Sequence, residues 1–371
     1  MWTIWKEELF KIASRKIVWL GMFLLALFIG WRLYAERSNY TVTIDGQIYF
    51  GQEAICLDQK LTAGYAGIFT EQTVKKIYED FGFYYHDMEK DVSIGNFCNY
   101  YITQHMTNYN QVDSPVLENV RFLEGKYWEQ NVAPLLNGTY LFDYTYGWND
   151  LKETYSILTV MAISVLFIIG LSPVFAEEYS LKTANILLTT KRGKKCSIWI
   201  KAAAAAFLVT VVYCLFTAYI WLLYWTVYGT QGLDASAVFI GIMPGGYAPA
   251  DIRGFFLFSF ALGLAGLILL TCITLAISAL CKNAFLAVVI SLAVFCIPYV
   301  WMHVSILFAP IISKGIREAI SHFMASMPFY LPVNWGFVLT ARQLLIHLGI
   351  ALASGICCMA GMYYAYHNYQ G

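Results

Sequence analysis

The sequence predicts an all-α polytopic membrane protein with six transmembrane helices and an α+β extracytoplasmic domain inserted between helices 1 and 2. Of its 371 residues, 59% are hydrophobic and only 13% are charged, whereas a soluble globular domain carries about 25% charged residues. Six stretches have about the length of 20 apolar residues that a helix needs to cross a bilayer. The acidic residues concentrate elsewhere, in residues 36–152, which hold 16 acids and 8 bases.

The six predicted spans are separated by segments of very different length. The spans are residues 17–34, 154–176, 202–228, 254–280, 284–308 and 344–366. Residues 229–253 form a predicted outer loop. Residues 309–343 are apolar but broken by prolines, which predicts an outer or re-entrant segment. Arg32, near the end of the first span, is expected to extend its guanidinium to the lipid headgroups.

The distribution of Lys and Arg predicts the orientation in the membrane. With the N-terminus inside, the short cytoplasmic segments hold eleven Lys and Arg and the short outer loops hold four, as the positive-inside rule requires. Both termini are therefore expected in the cytoplasm. Within residues 1–16, Trp2, Trp5, Leu9 and Ile12 recur at helical spacing, which predicts an amphipathic helix on the inner membrane surface. A signal peptide is the alternative interpretation, but no small-x-small cleavage site follows the first apolar stretch.

The inserted domain, residues 35–153, is predicted to contain both strands and helices. Asp45-Gly46 lies between two short runs of β-branched and aromatic residues, which predicts a hairpin with a type I′ turn. Residues 74–81 follow helical spacing and are expected to end at a C-terminal glycine. Cys56 and Cys98 could form a disulfide in an oxidising compartment. The excess of acidic residues either keeps the domain soluble or forms a vestibule that concentrates cationic substrates.

The motifs of several enzyme and binding classes are absent from the sequence. There is no G-x-x-x-x-G-K-[ST] phosphate loop and no H-E-x-x-H zinc motif. The basic residues form no extended surface, which excludes nucleic acid as a partner. Glu177-Glu178 is faintly similar to the glutamate pair of CAAX-type intramembrane proteases, but Lys182 stands where that family has arginine. We therefore expect no catalytic residues, no metal site and no cofactor in this chain.

The segment between the second and third spans, which we call the 177–201 loop, carries the most informative charge pattern. It holds six Lys and Arg. Glu177 and Glu178 open it and are expected near a helix N-terminus, because acids complement the helix dipole there. Ile186 and Leu187 could supply an apolar contact for a partner, with Arg192 as an ion pair at its rim. The alternative is an ordinary basic loop beside anionic lipid.

Six positions in this loop have a characteristic order and spacing. They are Glu178, Thr183, Leu187, Leu188, Arg192 and, at the start of the next span, Lys201. This pattern resembles the first cytoplasmic loop of type-2 ABC export permeases, although Lys182 stands where glycine is usual and Lys191 where proline is usual. The resemblance extends to the amphipathic N-terminal helix, the six spans and the hydrophobic segment between spans five and six, but not to the inserted domain.

The resemblance implies the permease subunit of an ABC transporter, which exports a substrate by alternating access. The implied partners are a cytoplasmic ABC ATPase that holds ATP and Mg²⁺, a second permease chain in a homodimer or related heterodimer, and membrane lipid. The implied location is a bacterial cell membrane. The residues implied to dock the ATPase are Glu177, Glu178, Thr183, Ile186, Leu187, Leu188 and Arg192.

By the same resemblance, spans two and five line the transport path. The polar candidates on these spans are Ser156, Thr159, Ser164, Ser172 and Ser291. Hydroxyls in membrane helices also bond to the backbone of their own or a neighbouring helix, and this alternative stays open. A second function stays open as well, that of a membrane-anchored receptor or sensory protein whose acidic extracytoplasmic domain binds a ligand.

Overall fold

A computed structural model describes residues 2–87, 92–111, 119–189, 193–242, 248–308, 310–325, 327, 330 and 340–368. Its α-helices, in chain order, are α1 Trp2–Ala13, α2 Lys16–Asn39, α3 Gly51–Ala63, α4 Glu71–Phe81, α5 Phe97–Met106, α6 Gly125–Asn131, α7 Tyr146–Thr154, α8 Ala162–Leu171, α9 Pro173–Ser180, α10 Thr183–Thr189, α11 Gly193–Tyr228, α12 Ile252–Leu280, α13 Ala284–Val304, α14 Lys314–Ala325 and α15 Ala341–His367. Its strands are β1 Thr41–Ile44, β2 Gln47–Phe50, β3 Gly67–Ile68, β4 Tyr85–Asp87, β5 Val92–Ile94 and β6 Leu141–Phe142.

Within the described residues, six helical runs are long and apolar enough to cross a membrane, which confirms the predicted number of spans. They cover Lys16–Asn39, Tyr146–Ser180, Cys196–Tyr228, Ile252–Leu280, Ala284–Trp301 and Ala341–His367. Several of them extend past the predicted spans, because helical backbone continues into polar flanks that a hydropathy criterion leaves out. The second run is a composite of α7, a π-helical segment Tyr155–Met161, α8 and α9.

The second span and α12 form the centre of the helix bundle. In their most apolar windows 59% and 56% of the residues are buried, against 22% for α2 and 0% for α15. The close approach of α12 to α11 depends on Gly263, because a Cβ at this position would collide with the Tyr213 hydroxyl. That hydroxyl donates to the carbonyl of Phe260 at 3.2 Å. Small residues at such crossings are typical of membrane bundles.

The connections between the spans sort to two ends of the bundle. At one end lie α1, the α9–α11 connection and the end of α15, since Lys11 and Tyr366 both bond to Glu178. At the other end lie the segment between α2 and α7 and the α11–α12 connection, since Leu141 and Ser236 exchange hydrogen bonds of 2.9 Å. α1 and the end of α15 therefore lie at the same end of the bundle.

The predicted N-terminal amphipathic helix is present as α1. Ile12 is buried, and Trp5 and Leu9 pack against the bundle. The Trp5 ring meets Phe207 of α11 edge-on at a centroid distance of 5.3 Å. Trp2, the fourth apolar position of the pattern, is exposed and stacks on Trp5 instead.

The residues between α2 and α7, which we call the inserted segment (residues 40–145), contain short strands and helices. β1 and β2 form the predicted hairpin, with positive φ of 51° and 76° at Asp45 and Gly46. The predicted helix is α4, and it ends at Gly82 with a φ of 64°. The strands of the described residues make three separate two-stranded antiparallel sheets, so helices and side chains rather than one large sheet hold the segment together.

Asp58 of α3 links three parts of the inserted segment. Its carboxylate is fully buried and accepts the Tyr40 hydroxyl at 2.5 Å and the backbone N–H of Phe97 at 3.0 and 3.1 Å. Phe97 opens α5, so the carboxylate lies at a helix N-terminus, where negative charge is favoured. Burial nevertheless raises the pKa of Asp58 from its usual 3.8 to about 6, because removal from water penalises the ionised form.

The aromatic core of the inserted segment includes a residue from outside it. Phe69, Tyr101 and Phe142 surround Phe239 with ring centroids 5.2 or 5.3 Å from it. Phe239 lies in the α11–α12 connection. The inserted segment and residues 229–242 therefore form one packed body, whereas the sequence analysis treats them as two separate pieces.

Arg32 has polar partners within the chain that the sequence did not predict, and its reach to the headgroups stays a prediction. Its Nη2 lies 2.5 Å from Asp150 Oδ1, and its Nη1 bonds to Thr154. The Tyr224 hydroxyl donates to the other Asp150 oxygen at 2.6 Å. A charge near a membrane helix end is less costly when an opposite charge neutralises it, and the sequence gives no direct sign that Asp150, 118 residues away, is that partner.

Candidate functional site

The 177–201 loop contains the end of α9, the short helix α10 and the start of α11. The second span continues as α9 to Ser180, so Glu177 and Glu178 lie in the last turn of a helix. This corrects the prediction that they lie near a helix N-terminus. A C-terminal position is unfavourable for acids, and cations from other parts of the chain compensate for it.

Glu178 is the centre of a buried ion network, which consists of Glu8, Lys11, Glu178, Lys201 and Tyr366. Its Oε1 accepts Lys11 Nζ at 2.8 Å and Lys201 Nζ at 2.5 Å, and its Oε2 accepts the Tyr366 hydroxyl at 2.8 Å. Lys201 Nζ also lies 2.9 Å from both carboxylate oxygens of Glu8. The exposed fractions of Glu178 and Lys201 are 2% and 0%.

The network is electrically balanced, which explains how it tolerates burial. Two carboxylates face two ammonium groups, and the tyrosine hydroxyl satisfies the remaining carboxylate oxygen. Breaking such a buried pair costs about 3–5 kcal/mol, because the other charge is left buried and uncompensated. Since its members come from α1, α9, α11 and α15, the network fixes these four helices to one another.

A second ring of contacts anchors α9 and α10 at the edge of the network. Arg15 Nη2 lies 2.8 Å from Glu177 Oε2, with Glu177 half exposed. The Thr183 hydroxyl donates to the carbonyl of Glu178 at 3.3 Å. The Tyr179 hydroxyl donates to the carbonyl of Ala279, at the end of α12, at 2.9 Å. The start of α10 is therefore held in place by side chains.

The turn between α9 and α10 explains one departure from the permease pattern. Lys182 has a φ of 58°, in the left-handed region where glycine is free of the Cβ clash that costs other residues about 1–2 kcal/mol. This is the position where glycine is usual in the family that the loop resembles. Lys182 adopts this left-handed backbone at a cost in strain.

The outer surface of this region exposes two large apolar side chains among polar ones. Leu181 is 66% exposed and Ile186 is 71% exposed, beside the exposed Thr183 and the half-buried Leu187. Of the other predicted docking residues, Arg192 and the side chain of Leu188 lie outside the described residues. The prediction therefore separates into two parts: Ile186 and Thr183 lie on an accessible surface, whereas Glu178 is occupied inside the chain.

The five predicted transport-path residues are all buried. The hydroxyls of Ser156, Ser164 and Ser172 donate to the carbonyl four residues earlier in their own helix, at 2.6 or 2.7 Å. The hydroxyls of Thr159 and Ser291 have no hydrogen-bond partner in the described part of the chain. Three of the five thus follow the backbone-bonding alternative in this structure. Thr159 belongs to the π-helical segment of the second span, a type of distortion that is frequent at functional sites.

Cys56 and Cys98 are both free thiols. Cys56 is exposed, whereas Cys98 is buried and contacts the Thr62 hydroxyl at 3.5 Å. Burial raises the pKa of the Cys98 thiol, so its reactive thiolate form is disfavoured. The disulfide stays a prediction.

The network includes three residues that were not predicted from the sequence, Glu8, Lys11 and Tyr366. Glu8 and Lys11 are one helical turn apart in α1, a spacing that puts both on one face. Tyr366 lies 188 residues from Glu178. The one available signal was Lys201, a charge at the first position of an apolar span, which needs a buried partner.

Fold and site define a polytopic helical membrane protein that presents a short, anchored helix between its second and third spans. A family model described as ABC-2 family transporter protein matches residues 61–364, which are 304 of the 371 residues. The chain belongs to this ABC-2 transporter family. It is accordingly a membrane transport subunit that is not itself catalytic, in a family that in general works with an ABC ATPase. No curated protein and no solved structure matches the chain.

Proposed function

We propose that the chain is the export permease of an ABC transporter and that its ATPase subunit docks on the exposed face of α10. The observation that carries this proposal is Ile186 of α10, a large apolar side chain that is 71% exposed, with the exposed Leu181 just before the helix. A large apolar side chain exposed on a short helix, whose first residue is bonded to α9, has the properties of an interface core. ATP and Mg²⁺ belong to the partner.

In this proposal Glu178 has a different role from direct contact. Its carboxylate is 2% exposed and shared by two lysines, so it fixes the end of α9, to which Thr183 of α10 is bonded. The docking residues are Thr183, Ile186 and Leu187, with Leu188 and Arg192 as further candidates. Glu177, which is half exposed and paired with Arg15, forms the rim.

The orientation follows from charge and from the sorting of the connections. Eleven Lys and Arg on one side against four on the other favour cytoplasmic termini. The end of the bundle with α1, α10 and the end of α15 then faces the cytoplasm of a bacterial cell, and the inserted segment is extracytoplasmic. The exposed Trp2 and Phe10 of α1 would contact the inner leaflet.

The transport path requires a second permease chain, identical or related. Thr159 and Ser291 are the better path candidates, because their buried hydroxyls have no partner in the described residues and would be available to a substrate once a rearrangement of the helices exposes them. Alternating access would come from closure of the ATPase pair, transmitted through α10 and the ion network. Family membership does not favour the receptor or sensory interpretation.

The test replaces an exposed apolar residue of α10 by a charged one. Ile186→Asp should abolish co-purification of the partner ABC ATPase, together with stimulated ATP hydrolysis and transport. The matched control is Ile68→Asp, since Ile68 is similarly exposed, at 63%, but lies in the inserted segment. Both variants should insert and purify like the wild type.

Two outcomes would contradict the proposal. One is normal ATPase binding and normal transport by Ile186→Asp. The other is loss of ATPase binding in both variants, which would assign the effect to surface charge rather than to α10.

A further inference from the structure

The end of α11 farthest from the ion network is held by two glutamines of the inserted segment. The last carbonyls of a helix have no partner within the helix. Here Gln52 Nε2 donates to the carbonyl of Val227 at 2.8 Å, and Gln59 Nε2 donates to the carbonyl of Tyr228 at 2.5 Å. We call Gln52 and Gln59 the glutamine clasp.

The clasp is built on one face of one helix. Gln52 and Gln59 are seven residues apart in α3, which is two helical turns and places both side chains on the same side. They therefore hold the end of α11 at two neighbouring carbonyls. A single hydrogen bond would leave α11 free to rotate about it, whereas two fix its direction relative to α3.

The residues that follow α11 are fixed to the same body. Gln231 Nε2 donates to the carbonyl of Gln59 at 3.1 Å and to Asp143 Oδ1 at 2.9 Å. The Trp148 indole N–H donates to the carbonyl of Gln231 at 2.6 Å. The inserted segment, the start of the second span and the end of α11 are thus joined by hydrogen bonds around one residue.

Toward its other end, about two turns after Gly193, α11 contains Lys201 of the ion network. α11 is one uninterrupted helix without proline, 36 residues from Gly193 to Tyr228, and its part from Lys201 to Val227 is about 39 Å long at a rise of about 1.5 Å per residue. The second span, by contrast, is interrupted by its π-helical segment and by Pro173. A continuous helix transmits displacement along its axis, whereas kinks absorb it.

We propose that Gln52 and Gln59 are positioning residues that make the inserted segment move with α11, so that a rearrangement at Lys201 reaches the opposite side of the membrane. α11 is held by buried ion pairs at Lys201 and by hydrogen bonds at Val227 and Tyr228, and the helix between these residues is unbroken. The inference concerns motion within this one chain. It therefore holds or fails independently of whether an ATPase docks on α10.

Hydrogen exchange of the full-length chain in lipid nanodiscs, followed by mass spectrometry, tests the clasp. The double variant Gln52→Glu and Gln59→Glu keeps the side-chain size but replaces each donor amide by an acceptor. We expect roughly tenfold faster exchange in residues 51–63 and 225–233, since that factor corresponds to about 1.4 kcal/mol of local opening. Gln47→Glu is the control, because it adds the same charge at an exposed position of the inserted segment.

The coupling itself is tested by disturbing the distant end. Tyr366→Phe removes one hydroxyl from the ion network without adding or removing charge, and it leaves α3 and α11 unchanged in sequence. We expect it to accelerate exchange in residues 51–63 severalfold in the wild-type background and to have no further effect in the clasp variant. Such non-additivity is the signature of coupled sites.

The inference is overturned if Tyr366→Phe accelerates exchange only around residues 2–15 and 178–201. It is also overturned if the effects of Tyr366→Phe and of the clasp variant on residues 51–63 simply add, or if the clasp variant exchanges like Gln47→Glu. If the clasp variant exchanges like Gln47→Glu while Ile186→Asp loses ATPase binding, the docking proposal is supported and the inference about the clasp is not.

Discussion

The buried ion network makes a quantitative prediction for Lys201→Met. Methionine has a similar length but no charge, so the substitution leaves Glu8 without its partner and Glu178 with Lys11 alone. Lys201 is fully buried, and breaking a buried pair costs about 3–5 kcal/mol. We expect the free energy of unfolding to fall by that amount.

The double variant of Lys201 and Glu178 distinguishes this electrostatic cause from lost packing. Lys201→Met combined with Glu178→Gln leaves one acid, Glu8, and one base, Lys11, so the network is neutral again. The double variant should therefore be more stable than the sum of the single effects predicts, by about 2–3 kcal/mol, at the upper end of the range of about 0.5–3 kcal/mol found for coupled neighbours.

The assay is unfolding of the purified chain in mixed detergent micelles, followed by the fluorescence of its 11 tryptophans. Lys75→Met is the matched control, because it breaks a Lys75–Glu71 pair of 2.9 Å whose side chains are both mostly exposed. Surface pairs contribute about 0–1 kcal/mol, so the control should unfold almost like the wild type. The network does not stabilise the fold through its buried charges if Lys201→Met lowers the free energy of unfolding no more than the control does. The same conclusion follows if the effect of the double variant equals the sum of the two single effects.

Three further predictions concern single positions. Lys182→Gly should stabilise the chain by about 1 kcal/mol, because glycine relieves the left-handed strain at this turn; a lower unfolding midpoint would show that the Lys182 side chain matters more. Gly263→Ala should destabilise the chain by about 1–3 kcal/mol, because the added methyl group collides with the Tyr213 hydroxyl. Gly361→Ala is the control and should be neutral or stabilising, because Gly361 has open space around it. Equal effects of the two substitutions on the free energy of unfolding would argue against close packing at Gly263. Asp58 has a pKa raised to about 6 in the folded state, so the folded protein binds the Asp58 proton more tightly than the unfolded chain does. The free energy of unfolding of the inserted segment should therefore fall by about 3 kcal/mol from pH 4 to pH 6 and stay level above pH 6. Hydrogen exchange of residues 51–63 across that range should show the slope in the wild type and lose it in Asp58→Asn, and a slope of the opposite sign would mean that the hydrogen bonds to Tyr40 and Phe97 outweigh burial.

Local patterns in the sequence predict local structure well. The six spans follow from apolar runs, the hairpin from Asp45-Gly46, and the end of α4 from Gly82, because each of these depends on residues within one or two turns of chain. The polar partner of Arg32 is 118 residues away, and no local pattern indicates it. Hydropathy alone therefore placed Arg32 at the lipid headgroups.

The candidate site illustrates the same limit. Thr183 and Ile186 could be placed on an exposed loop because spacing and charge are local properties. The burial of Glu178 could not be predicted, since its partners Lys11 and Tyr366 come from the two ends of the chain, 167 and 188 residues away. Which of two adjacent glutamates faces inward depends on where a helix ends, and α9 ends one turn later than the hydropathy suggested.

The packing of Phe239 among Phe69, Tyr101 and Phe142 has a practical consequence for work on the inserted segment. A recombinant fragment cut out at residues 40 and 145 would lack this ring and would leave an aromatic-lined hole open to water. Such a fragment should aggregate and be poorly soluble despite its acidic composition. Grafting residues 229–242 back through a short flexible tether would restore the missing piece, and only that chimera should behave as a soluble, monomeric protein.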